Sequence, residues 1–156
     1  RAARNRTRML YAEDLTVGQR FPFRTYPIEQ AEIIEFAERF DPLFIHIDPV
    51  AAANGPFGGL IASGLHTTAI YQRLIVEAMW RQVAGVAGTR IESRFQRPVR
   101  PGMTLTGQAE IAAIALRPEK KNAVVTVRSQ ITDGTDTVLS VVLDAVIHSR
   151  PDHPRP

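Results

Sequence analysis

The 156-residue chain contains no cysteine. That absence excludes disulfides, cysteine-ligated zinc, iron–sulfur clusters and thiol nucleophiles together. No apolar run approaches the roughly 18 residues of a membrane-spanning helix, and the basic N-terminus lacks the apolar stretch of a secretory signal. The chain therefore reads as cytoplasmic, with no membrane partner. Acids are missing from the first eight residues, where Arg1, Arg4, Arg6 and Arg8 lie. Those four supply the whole net charge of +3: taken from 19 Lys plus Arg, they leave 15 against 16 Asp plus Glu. The body is nearly neutral and shows no basic patch interleaved with aromatics, so a nucleic-acid partner is not expected.

What is present is the balance of a globular domain, 44% apolar and 22% charged, in a chain long enough to bury a sizeable core. One domain is expected over residues 10–149, after a disordered basic arm at 1–9 and before a Pro-rich tail at 150–156 that cannot continue regular structure. Gln19 to Tyr26 has the aromatic content of a strand, with Pro22 marking an edge or a bulge. From Pro27 to Phe40 the period becomes helical, with Ile33, Phe36, Ala37 and Phe40 on one face. Asp41-Pro42 stops that helix. An irregular segment is expected from Leu43 to Ile47, then a short helix over Val50 to Asn54 with Asp48 as N-cap and Pro49 at its first position.

Leu65 to about Val83 is the longest helical pattern, apolar over so wide an arc that the helix must be largely enclosed. The second half then alternates with period two. Strands are expected at Arg90 to Val99, Thr104 to Ile111, Val124 to Thr132 and Thr137 to His148, the last two joined by a turn at Asp133-Gly134-Thr135-Asp136. An antiparallel sheet curled around the long helix buries both with the fewest assumptions, an α+β fold.

Two stretches carry candidate chemistry. In the first, Asp41 and His46 stand five residues apart in a prolyl bend, a spacing that can aim a carboxylate and an imidazole at one water. The plainer alternative is a helix-terminal aspartate and a loop histidine. In the second, Gly55-Pro56-Phe57-Gly58-Gly59 leads into Ile61-Ala62-Ser63-Gly64, and Gly64 falls at the start of the long helix. Free N–H groups there suit a developing oxyanion, whereas glycine also serves tight turns and close packing. Ser63 has no His and acid at triad spacing.

Taken together, Asp41-Pro42-x-x-x-His46-x-Asp48, the Gly-Gly-Leu-Ile-Ala-Ser-Gly run ending at Gly64, and Arg94-Phe95-x-Arg97-Pro98-Val99-Arg100-Pro101-Gly102 resemble the MaoC-like dehydratase and (R)-specific enoyl-CoA hydratase family, from about Tyr11 to about His148. The resemblance implies a hot dog fold and a dimer joined edge to edge through its sheets. It implies Asp41 and His46 as the catalytic pair, the Gly64 N–H as oxyanion donor, and reversible addition of water to a trans-2-enoyl-CoA to give a (3R)-3-hydroxyacyl-CoA. No metal and no cofactor is implied, CoA entering only as part of the substrate. The chain departs from the family's usual Asp-x-Asn-Pro-x-His at Leu43 and Phe44, while Pro42 agrees with a branch that has proline directly after the aspartate.

Ser63 and Phe44 are candidate substrate-binding residues, Phe44 as a wall of an acyl pocket. Arg97 and Arg100, ahead of Arg90 and Arg94, are candidates for the CoA phosphates, for which a guanidinium is suited. A solvated strand face is the alternative for each arginine. His66 reads as a helix histidine, and His148 and His153 as incidental. Two further readings stay open: a hot dog thioesterase and a non-catalytic acyl-CoA-binding subunit.

Overall fold

The computed structural model of the chain describes residues 8–152, so most of the expected arm (1–7) and the end of the expected tail (153–156) lie outside the described residues. Two short strands, β1 (Arg20–Pro22) and β2 (Tyr26–Pro27), stand where one strand was expected. Prolines at 22 and 27 remove donors and break the run. Helix α1 (Gln30–Phe40) begins three residues later than Pro27 and ends as anticipated, with the Asp41 N–H donating to Ala37 O at 2.8 Å. The segment expected to be irregular contains one helical turn, α2 (Phe44–Ile47), closed by Asp48 N–H to Phe44 O at 3.0 Å. Four residues are too few to show a helical period, which is why the pattern missed it. Asp48 then caps α3 (Pro49–Ala53), its Oδ1 accepting from Val50 N at 3.1 Å and Ala51 N at 3.0 Å.

The long helix α4 spans Gly64–Ala78 and continues as a 3-10 turn over Trp80–Gln82. Four strands follow: β3 (Gly85–Phe95), β4 (Thr104–Arg117), β5 (Asn122–Thr132) and β6 (Thr137–His148). β3 begins five residues before the expected Arg90 and stops short of Val99. Its first half was masked by glycines and by register shifts at Gly85/Ala87 and Gly88/Arg90, which break alternation. β4 outruns Ile111 to Arg117, and a shift between Ile111 and Ala113 interrupts its pattern too. The turn at Asp133–Asp136 is as expected: Asp133 Oδ1 accepts from Thr135 N and Asp136 N, at 2.9 and 2.8 Å, and Gly134 takes φ +97°.

All strand pairings are antiparallel, in the order β1-β4-β5-β6-β3, with β2 also on β4. The sheet curls around α4, the hot dog arrangement. Tyr71, Leu74, Ile75 and Met79 of the helix region are at most 1% exposed and belong to one core cluster with Ala109, Ile111, Val125, Val127, Leu139 and Val141 of the sheet. Enclosure pushes the Tyr71 hydroxyl up to about 12. Arg24, between β1 and β2, grips Glu77 near the end of α4 with Nε at 2.6 Å, and Arg73 joins the same carboxylate. These two guanidiniums hold Glu77 down to about 2.

The ends of the described chain are tied in. Leu10 exchanges backbone bonds with Gln82 and Ala84, at 2.7 and 2.8 Å, and Arg150 N–H donates to Glu13 at 3.0 Å. Among the described residues, no helix is long and apolar enough to cross a membrane.

Gly107 is required by proximity. A Cβ there would lie 1.9 Å from the Gln130 carbonyl oxygen, so any side chain must open the β4–β5 ladder. Gly107→Ala is expected to destabilise the fold by about 1–3 kcal/mol, the usual range for overpacking. Denaturant unfolding measures it, and a variant as stable as the parent contradicts the close approach.

Candidate active site

The site is assembled from three pieces of chain that meet at the N-terminus of α4. α1 stops at Asp41 because Pro42 disfavours helical geometry before it. The chain then bends back, Leu43 N–H donating to Asp41 O at 2.8 Å and His46 N–H to Leu43 O at 2.9 Å. The α2 turn so formed carries His46 inward, to 5% exposure. The second piece is the segment from Leu60 to Ser63, buried throughout. Ile61 N–H donates to Ile45 O at 3.0 Å, and Ala62 N–H to Val99 O at 2.8 Å. It is thus bonded to α2 on one side and, on the other, to the third piece, the chain leaving β3.

The contact with Ile61 selects one tautomer of the neutral imidazole. His46 Nδ1 lies 2.7 Å from Ile61 O, and a carbonyl only accepts, so Nδ1 carries the hydrogen. Nε2 of the neutral ring is then a lone pair, and it faces Asp41 Oδ2 at 3.4 Å. That distance is long for a direct hydrogen bond and short enough for both groups to reach one small molecule. The Asp41 carboxylate is partly exposed, and it accepts the Ser63 hydroxyl at 2.7 Å.

Ser63 is the N-cap of α4, its Oγ accepting from Leu65 N at 3.3 Å. Gly64 is the first helical residue, so its N–H has no acceptor within the helix. Asp41, His46 and Gly64 line a single cleft of about 540 Å³. Its other walls are mostly apolar, among them Phe57, Leu65, Phe95 and Val138. A Cβ on Gly64 would sit 2.9 Å from the Phe95 ring, so glycine lets that aromatic wall close against the helix start.

The structure therefore brings Asp41, His46, Ser63 and Gly64 together. Arg97 is at the rim of the same cleft, 60% exposed and 3.6 Å from Asp136. Arg100 is used differently: Nη2 donates to Phe57 O at 2.7 Å, which pins the glycine-rich loop. Phe44 is outside the cleft lining, with its ring against Gly55, where a Cβ would meet Cε2 at 3.0 Å. Phe57 and Phe95 form the aromatic walls instead. Phe95 was detectable in principle: Leu139, Val141 and Leu143 of β6 face the core, and their β3 partners are Phe95, Ser93 and Ile91. By the same alternation Arg90, Glu92 and Arg94 project from the outer face, where Arg90 pairs with Glu92 at 2.7 Å and with Asp144 at 3.8 Å.

His66 points away from the cleft. It is buried, stacked on Phe36 with centroids 4.6 Å apart, and its Nε2–H donates to Glu32 at 3.3 Å. The Tyr26 hydroxyl donates to the same Glu32 oxygen, and burial, then that bond, pushes the tyrosine up to about 12. This cluster borders a separate cavity of about 420 Å³ between α1 and α4. His148 ends β6, and its N–H donates to Ala84 O at 2.9 Å, far from the chemistry in chain topology. His153 lies outside the described residues.

Comparison with known proteins agrees with this architecture. A 3-hydroxybutyryl-CoA dehydratase of Methylorubrum extorquens is 33% identical over 119 residues, 74% of this chain and 71% of that protein. The uncharacterized protein YdeM of Bacillus subtilis is 36% identical over 90 residues, 57% of this chain, and the match spans 64% of that relative's length. A MaoC-like dehydratase from Rhodospirillum rubrum superposes with a TM-score of 0.85 at 36% identity, covering 91% of this chain and 99% of that one. With residues 13–134 matching the MaoC like domain, the chain belongs to that family.

Proposed function

We propose that this protein adds water reversibly to the 2,3 double bond of a trans-2-enoyl-CoA, giving a (3R)-3-hydroxyacyl-CoA. The observation that carries this reading is the 3.4 Å approach of His46 Nε2 to Asp41 Oδ2 in a cleft that also exposes the first turn of α4. A water placed between the two groups is held by a lone-pair nitrogen and a carboxylate. As its oxygen bonds to C3, the pair takes one proton from the water and passes that same proton on to C2, so that the H and OH of one water end on C2 and C3 and the pair is left as it began. Both groups reach the same water, so the roles belong to the pair. The electrons of the double bond move toward the thioester carbonyl, whose oxygen gains enolate charge beside the Gly64 N–H and the positive end of α4. The addition is redox-neutral and uses acid–base groups alone, with CoA present only as part of the substrate.

The apolar walls at Phe57, Leu65 and Phe95 suit an acyl chain. Arg97, at the rim, suits the phosphate end of CoA. The far edge of β3 has no strand against it among the described residues, and Val86, Ile91 and Phe95 are about half exposed along it. A second copy pairing there covers that edge and gives a homodimer whose cleft lies beside the new interface.

Three experiments test the reading. Asp41→Asn and His46→Asn are each expected to lower kcat/KM for hydration of crotonyl-CoA by about 10²–10⁴, the span attributed to general acid–base groups; full activity in both, or release of free CoA from saturated acyl-CoAs, contradicts the mechanism. Arg97→Glu raises KM for an enoyl-CoA and leaves KM for the corresponding pantetheine thioester unchanged, because the latter lacks the nucleotide phosphates. Sedimentation gives a dimer for the parent chain and a monomer for Ile91→Lys, whereas a monomeric parent at micromolar concentration removes the dimer.

A further inference from the structure

Resting on the reading just given, we infer that Ser63 is a positioning residue, the group that holds the Asp41 carboxylate in register with the N-terminus of α4. Ser63 is fully buried, and its hydroxyl has two neighbours. Oγ accepts the Leu65 N–H at 3.3 Å and lies 2.7 Å from Asp41 Oδ2. A hydroxyl has a single proton. With a lone pair turned to the helix N–H, that proton goes to Asp41.

The consequence is geometric. Among the described residues Ser63 is the one hydrogen-bond donor on the Asp41 side chain. It engages Oδ2, the same oxygen that faces His46, and leaves Oδ1 without a protein donor. The carboxylate is therefore turned by a buried group so that the oxygen facing His46 is the one held to the protein frame. The alternative, a carboxylate held only by its own backbone at the end of α1, leaves the side-chain torsions free at a site that is 28% exposed.

Ser63 also directly precedes Gly64, the oxyanion donor of the proposed reaction. One residue thus links the carboxylate that handles the water to the backbone N–H that faces the carbonyl. Those two groups act on atoms three bonds apart in the substrate. Their mutual placement matters because an ångström of misplacement in an active site can cost about a hundredfold in rate. Positioning through a short, charge-assisted bond suits that demand better than a cap alone.

Capping and positioning are separable by substitution. Alanine is a poor N-cap, whereas glycine caps nearly as well as serine, and neither has a hydroxyl. Ser63→Gly and Ser63→Ala are each expected to lower kcat for crotonyl-CoA hydration by about tenfold to a hundredfold with KM within about twofold. In an Asp41→Asn background, Ser63→Gly adds no comparable loss, because the residue acts through the carboxylate. The ¹³Cγ resonance of Asp41, which reports its hydrogen bonds without turnover, moves in Ser63→Gly. A Ser63→Gly enzyme with parental kcat, a loss confined to Ser63→Ala and matched by lowered thermal stability, an undiminished effect in the Asp41→Asn background, or an unmoved resonance each overturns the inference. If the parent chain hydrates no enoyl thioester, the proposed reaction fails, and the Asp41 resonance still decides whether Ser63 holds the carboxylate.

Discussion

The hydrogen bond from His46 Nδ1–H to the Ile61 carbonyl is the contact on which the rest of the site depends. It joins segments fifteen residues apart, and it does so inside the protein, where an unmade bond to a buried imidazole and carbonyl would cost about 1–3 kcal/mol. The backbone bond from Ile61 to Ile45 runs beside it, so ring and peptide are clamped as a pair. Once Ile61 is fixed, Ala62 and Ser63 follow in sequence onto Val99 and the start of α4. A single clamp therefore sets the imidazole tautomer, the direction of Nε2 and the point at which the long helix begins.

That helix explains why such a polar corner exists in an otherwise apolar interior. α4 buries residues on several sides within the curl of the sheet, which is stable only while its backbone groups are bonded. Its first turn cannot be, since the leading N–H groups of any helix have no partner within it. The fold resolves this at Ser63 and leaves the next N–H, of Gly64, at the cleft wall. An unavoidable feature of a buried helix end is thereby available for holding negative charge, and the core needs no charged side chain to supply it.

Much of this was legible because the signals were local. Asp41-Pro42 and Asp48-Pro49 announce a helix stop and a helix start by the fixed geometry of proline, and both are found where they were read. The hairpin at Asp133 to Asp136 and the alternation of β5 and β6 are similarly self-contained. What escaped were features set by partners distant in sequence. The acceptor of the Ser63 hydroxyl is 22 residues away, and nothing around Ser63 announces it. Glu32, the partner of His66, is 34 residues back, so that partner had no local mark, although His66 itself is the helix histidine it was read to be. The glycines and register shifts of β3 hid its first half, and with it the alternation that separates Phe95 from Arg94.

The departure at Leu43 and Phe44 takes on a different meaning in this frame. Both side chains are about half exposed, and neither lines the cleft. A polar residue at position 43 is therefore not what holds the pair here: Asp41 is engaged by Ser63, and His46 by Ile61. Leu43 contributes through its backbone, as acceptor for His46 N–H and donor to Asp41 O, and those bonds are indifferent to the side chain. Phe44 contributes by packing on Gly55 at the mouth of the glycine-rich loop, the loop that Arg100 secures from the other side through Phe57 O. The geometry at Asp41 and His46 is defined by two contacts made from outside the motif, one to Ser63 and one to Ile61.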